Sequence, residues 1–345
     1  MPSTKERLLQ ATAKISDSGH QRFIVQLQKF FSCLETAAVS DHPAAGLYQS
    51  SARQWLFYLQ ALCRVYKKVQ DDDLFGEVAE AIKLLEDQLG AIDYWDGWIK
   101  EYSANATFPP LLMDALKHHK ELELQQLAEL LDKGKWIAKD FAQIRGMMNS
   151  LEKVDWHKAN KDRKKIAEFL AKEIKKIEDM YHNGEIDFQE LETGVHELRR
   201  KLRWISIYAQ ALDGLLQLKD VPKPAALYQK YMTDAIVKSP FNRMPIAPSG
   251  IEPIYLTTPN FFALSWIISQ IGSIKDEGLK EEALLEIVTE TKIATGAAAK
   301  KLIAQFIPKA SHTLATIPAT VEAMARVFID DDKILHRLRD DFEAV

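Results

Sequence analysis

Apolar residues recur at helical spacing through nearly the whole chain, and few residues interrupt them. In QRFIVQLQKFFSCLETAA, residues 21–38, Phe23, Ile24, Leu27, Phe30, Phe31 and Leu34 fall on one face of a 3.6-residue period. Segments 48–70, 75–90, 115–132, 135–150, 160–181 and 187–218 follow the same rule. The 14 glycines and 13 prolines among 345 residues are too few for a sandwich or barrel built on tight turns. Leu, Ala, Lys, Glu, Gln and Ile dominate and favour helix. No pair of strands is evident, so the expected fold is all-α.

Punctuation divides the chain. Pro109-Pro110, Gly134 and Gly184 separate helices, with further breaks at Pro308 and near Pro318. Residues 221–259 hold Pro222, Pro224, Pro240, Pro245, Pro248, Pro253 and Pro259, with one helical candidate, ALYQKYMTDAIV, inside. An internal echo gives this stretch a meaning. ARQWLFYLQAL at 52–62 matches LRWISIYAQAL at 202–212, pairing Arg53 with Arg203. QLGAI at 88–92 matches QIGSI at 270–274. The second offset exceeds the first by about the length of the proline-bearing stretch. Two related helical-bundle halves are expected, 1–155 and 156–345, integrated as one domain, with 221–259 inserted in the second.

Hydrophobic residues at 47% and charged residues at 27% suit a globular chain that buries a sizeable core. Cys33 and Cys63 lie in apolar helical patterns as buried thiols. The opening MPSTKERLLQATAKISDSG lacks a secretory apolar core, and FFALSWIISQIG is too short and polar to span a bilayer. A cytoplasmic protein with no membrane partner is the expectation. A net charge of −4 argues against wholesale nucleic-acid coating while permitting a local basic patch. Basic and aromatic residues do not alternate as a single-strand stacking platform requires.

That patch is sought in HNGEIDFQELETGVHELRRKLRWISIYAQAL, residues 182–212. His196, Arg199, Arg200 and Arg203 sit at i, i+3, i+4 and i+7 on one helical face, opposite Leu198, Leu202, Ile205, Ala209 and Leu212. Like charges four residues apart repel by a few tenths of a kcal/mol per pair, roughly, so an external anion would relieve them. In the preceding helix, Lys161, Lys164, Lys165, Lys172 and Lys175 gather opposite Ile166, Leu170, Ile174 and Ile177, interrupted by Glu168. Packed as an antiparallel hairpin, the two helices could set both cationic stripes along one groove. Residues 145–203 hold 14 Lys/Arg and 12 Asp/Glu, so the segregation lies between faces, and a merely solvated face is the competing reading.

Other constellations read as structural. Counted from Asp179 to Glu190, a calcium loop loses the carboxylate of its third position, where Tyr181 stands. Asn183-Gly184 reads as a helix C-terminal turn, with Asp187 and Glu190 capping the next helix. Adjacent His118 and His119 point to different faces. The acids of DYWDGW, Asp93 and Asp96, read as exposed caps, and IDDDKILHRLRDD as a helix start with ordinary surface charge. No catalytic residue, metal site or cofactor is assigned, since no nucleophile–base signature, Walker loop, zinc spacing or HExxH occurs.

GVHELRRKLRWISIYAQAL resembles the histidine-plus-arginine helix of the CHAD family. His196, Arg199 and Arg203 match its His-x-x-Arg-x-x-x-Arg pattern, and Arg200 adds charge. Gly272, Lys275 and Asp276 in IGSIKDEG match the family's Leu-Gly-x-x-Arg-Asp turn, with Lys for Arg. The resemblance implies two helical halves around a basic groove that binds inorganic polyphosphate or a similar polyanion. The first half departs from it: Gly46 stands in the histidine slot, Asp93 in the arginine slot, and of the basic set Arg53 remains. The expected site is therefore one-sided: His196, Arg199, Arg200, Arg203 and Lys275, with Lys161, Lys164, Lys165, Lys172 and Arg53. A non-catalytic polyanion binder is the leading expectation. A scaffold holding an acidic protein segment and a phosphate-ester enzyme are the alternatives.

Overall fold

The computed structural model describes residues 2–14, 18–247, 249–307, 312 and 315–345. Pro248 and Pro308, two of the expected breaks, lie outside the described residues. The fold is all-α: helices account for 74% of the chain. Among the described residues are α1 (Thr4–Lys14), α2 (Ser18–Ala38), α3 (Pro43–Gln49), α4 (Ala52–Val69), α5 (Leu74–Ser103), α6 (Pro110–Lys133) and α7 (Ala138–Leu151). Then come α8 (Ala159–His182), α9 (Glu197–Ala211), α10 (Asp234–Val237), α11 (Thr258–Thr291), α12 (Gly296–Ile303), α13 (Ile317–Arg326) and α14 (Ile334–Glu343).

The chain forms two compact units. Residues 1–159 and 285–306 make the first, and 160–284 with 307–345 the second. Residues 285–306 thus group with the first unit.

In the first unit, α4 packs on α2 and α5, and α5 on α6. The apolar face read on α2 is buried throughout, from Phe23 to Leu34. Phe23, Tyr66, Phe75 and Trp156 form an aromatic cluster with ring centroids 5.3–5.9 Å apart. Burying each such side chain is worth about 1.5–3 kcal/mol, which is why sequence-distant helices converge here. Pro110 starts α6 at a position where a missing N–H costs no helical bond.

In the second unit, α8 and α9 bury the apolar faces read in the sequence, and Phe169 meets Tyr208 edge to face at 5.5 Å. The expected helix over 187–218 is shorter. It begins as a π-helical turn, Leu191–His196, becomes α at Glu197 and ends at Ala211. Gly194 permits that wide turn: a Cβ there would lie 1.7 Å from the Asp187 carbonyl oxygen. Asp187 does not cap; its side chain accepts from the Gln189 N–H, an Asx turn.

Two strands correct the expectation of none. β1 (Leu216–Lys219) pairs in parallel with β2 (Ile254–Thr257), Leu216 opposite Ile254. Four-residue strands leave almost no periodic signal: β1 precedes the proline-bearing stretch and β2 lies near its C-terminal end. Within that stretch ALYQKYMTDAIV is a 3₁₀ turn, Ala226–Lys230, and the four-residue α10, not one helix.

Candidate functional site

From the basic face of α9, Arg199 reaches α11. Arg199 lies against Gly272, where a Cβ would stand 2.8 Å from its Nη2 and 2.9 Å from its Nε. Its Nε–H donates to the Ile268 carbonyl at 3.2 Å, one turn before that glycine. Three residues after Gly272, Lys275 comes off the same helix face. Its Nζ donates to His196 Nδ1 at 2.6 Å. The Glu192 carboxylate stands further off, at 3.7 Å, and is 66% exposed while the lysine side chain is 14% exposed. A largely buried ammonium therefore has a ring nitrogen as its short partner.

The electrostatics follow. Burial pushes the His196 pKa below its ordinary value, and Lys275 pushes it further; Glu192 opposes, and Arg199 and Arg200 add to the lowering. Burial also lowers the Arg199 pKa against the pull of Asp276. His196 therefore accepts from Lys275 as a neutral ring.

The other predicted residues separate into groups. Arg203 is half-buried one turn beyond Arg199. Arg200 is exposed and paired with Glu197 at 2.5 Å, a carboxylate it shares with Lys201 at 3.1 Å. Lys161, Lys164, Lys165 and Lys172 are exposed on α8. Lys165 pairs with Glu168 at 3.1 Å and Lys175 with Asp179 at 2.7 Å; Lys161, Lys164 and Lys172 form no ion pair among the described residues. Arg199 and His196 thus meet Gly272, Ile268 and Lys275 of α11. Periodicity gave each helix its faces but not its neighbour.

Arg53, the first unit's counterpart, also lies on a glycine: a Cβ at Gly90 would stand 2.6 Å from its Nη2. There the resemblance stops. Arg53 donates to Glu86 at 2.9 Å and to Asp93 at 2.7 Å, so two carboxylates neutralise it. The sequence echo paired Arg53 with Arg203, but the glycine contact is made by Arg199, one turn earlier.

Beside Arg53 opens a cavity of ≈ 580 Å³ that the sequence did not signal. Its hub is Asp96, 6% exposed rather than an exposed cap. Its carboxylate accepts from the Tyr48 hydroxyl at 2.7 Å, Lys100 at 2.6 Å and Lys120 at 2.6 Å. Burial raises the Asp96 pKa, but these donors outweigh it and hold it at about 2. Only the i,i+4 spacing of Asp96 and Lys100 was readable; Tyr48 and Lys120 arrive from α3 and α6.

The structural readings fare variously. Gly184 adopts φ +71° at a helix end, and the Asp179 carboxylate is taken by Lys175, so the calcium-loop segment is a C-terminal turn. His119 stacks on Trp95 at 4.2 Å and meets Glu290 at 2.6 Å. The C-terminal acids are not ordinary surface charge. Asp330 accepts from Tyr181 at 2.9 Å, Asp332 from Tyr231 at 2.5 Å, and Asp341 from the Thr257 hydroxyl at 2.7 Å. Among the described residues no group of three or more His, Cys, Asp or Glu is placed to hold a metal ion, and no helix is long and apolar enough to cross a membrane.

Comparison with protein-family models, with curated proteins and with solved structures finds no match to this chain.

Proposed function

We propose that the second unit binds a polyanion, inorganic polyphosphate or a chemically similar chain, without catalysis. One observation carries the reading: Lys275, 14% exposed, donates its short hydrogen bond to neutral His196, beside an arginine pressed onto Gly272. Positive charge held away from water, with a neutral acceptor at short range and an exposed carboxylate at 3.7 Å, is further stabilised by an anion bound there. Arginine can grip neighbouring phosphate oxygens with two donors, while lysine supplies a point charge. The likeness of His196, Arg199, Arg203 and Lys275 to the CHAD motifs supports the same ligand class. A cytoplasmic setting fits the buried, unpaired Cys33 and Cys63.

Calorimetric titration with polyphosphates of defined length, in low salt and with heparin as control, tests this. Lys275→Ala and Arg199→Ala should each weaken polyphosphate binding about 10- to 100-fold, the scale of one charge-assisted hydrogen bond. The affinity should fall as salt rises. An intact protein that takes up no polyphosphate in low salt overturns the reading.

A second reading has its own support. Val237, Phe241, Ile246 and Tyr255, in the proline-bearing stretch, are 46%, 62%, 93% and 51% exposed. Apolar side chains left in water suit a protein partner, and a scaffold that holds an acidic segment would use them beside the cations. Phe241→Ser with Ile246→Ser should then abolish partner binding while leaving polyphosphate binding unchanged.

A further inference from the structure

A lysine ammonium can only donate hydrogen bonds. The 2.6 Å contact from Lys275 Nζ to His196 Nδ1 therefore makes that nitrogen an acceptor. The ring is neutral and its one proton sits on Nε2. Protonating Nδ1 would place two cations in contact and break their bond. The charges around the ring are mixed. Arg199 and Arg200 on its own helix are cationic, and Glu192 on the π turn opposes them. α13, packed on the same turn, carries Glu322 and Arg326, of opposite sign.

An anion changes the balance. A phosphate oxygen accepting from Lys275 and Arg199 draws the ammonium away from the ring and brings negative charge to it. The Nδ1 lone pair is then free, with an acceptor at hand for an N–H. We propose that polyanion capture at this site takes up one proton from solvent onto His196 Nδ1, so that binding and pH are coupled. The balance is complete: one proton leaves water, one N–H bond forms, Lys275 keeps its charge, and no other bond changes. The inference rests on the polyanion reading and adds a regulator to it.

The sign of the coupling follows from which state holds the proton. The free protein has the lower His196 pKa, depressed by burial and Lys275. The bound protein has the higher one. Affinity rises as pH falls through the bound-state pKa, by up to about tenfold per pH unit, and levels off below the free-state pKa. Acidification should therefore load the site and alkalinisation empty it.

The test is calorimetry of the full chain with linear polyphosphate between pH 5 and 8, in two buffers of different ionisation enthalpy. The same titrations are run on His196→Asn. Terminal phosphates titrate in this range themselves, so the readout is the difference between the two proteins. The unmutated chain should take up close to one proton more than the variant and show the steeper pH dependence. Equal proton uptake overturns the inference while leaving polyanion binding intact. Absence of binding by the unmutated chain in low salt, at every pH, overturns the polyanion reading itself. Should the variant fail to fold, the imidazole resonances of His196 in the unmutated protein decide. Added polyphosphate should raise its pKa, and an unmoved titration curve overturns the coupling.

Discussion

Arg53 on Gly90 and Arg199 on Gly272 are the same packing solution put to different electrical use. In each unit a guanidinium lies flat on a helical glycine because no Cβ stands in its way. One turn before the glycine, Arg53 meets the Glu86 carboxylate, whereas Arg199 meets the carbonyl of Ile268. Three residues after it, the first unit has Asp93, paired with Arg53, and the second has Lys275, bonded to a histidine. At these two positions the first unit sets carboxylates on its arginine, and the second a carbonyl and a lysine. Shared backbone geometry says little about what a site binds; the charges at these flanking positions say more.

The largest expected effect lies in the neutralised unit. Asp96→Ala removes a buried carboxylate that holds Tyr48, Lys100 and Lys120, and should cost about 3 kcal/mol in denaturant unfolding. A loss of under about 1 kcal/mol would show the network to be dispensable. The same carboxylate has a pH signature. Its folded pKa of about 2 lies below the ordinary 3.8, so its stabilisation is present above pH 3.8 and is lost as pH falls through about 2. Asp96→Asn should remove about 2 kcal/mol of that acid-sensitive stability.

Next come the glycines. Gly90→Ala should displace Arg53 from Glu86, which is 7% exposed, and cost about 1–2 kcal/mol in stability. Gly272→Ala should displace Arg199 from a carbonyl instead, cost less stability and weaken polyphosphate binding. Equal stability losses would erase the distinction between the units. The smallest effect tests the charge rule directly. Asp93→Lys puts the second unit's residue type into the first, at a site 44% exposed. Stability should change by less than about 1 kcal/mol, and weak anion binding should appear in the first unit. A first unit that gains no affinity would show that lysine in this slot is insufficient without its histidine.

How much of this was readable varies with the range of the interaction. The inward faces of α2, α8 and α9 follow from residues three and four apart, and their apolar positions are buried as read. Pro110 and Gly184 mark helix ends because each constrains its own backbone. His196 and Lys275 belong to the ten residues of the expected site, and these two meet at 2.6 Å. By contrast, the β1–β2 pairing, the Asp96 hub and the bonds of Asp330, Asp332 and Asp341 all join segments distant in sequence. An aspartate on an exposed-looking pattern gives no sign of the tyrosine that will reach it.

By itself the sequence determined helix, faces and charges: an all-α chain with buried stripes and a basic side to α9. Steric periodicity and the transfer of apolar groups from water act within a few turns, and these outcomes need nothing else. Only the tertiary structure decided the partners. It set Arg199 of α9 on Gly272 of α11, gave Arg53 two carboxylates, and made a histidine nitrogen the short partner of Lys275. Coulomb energy depends on separation and solvent exposure, and neither exists until distant helices have packed.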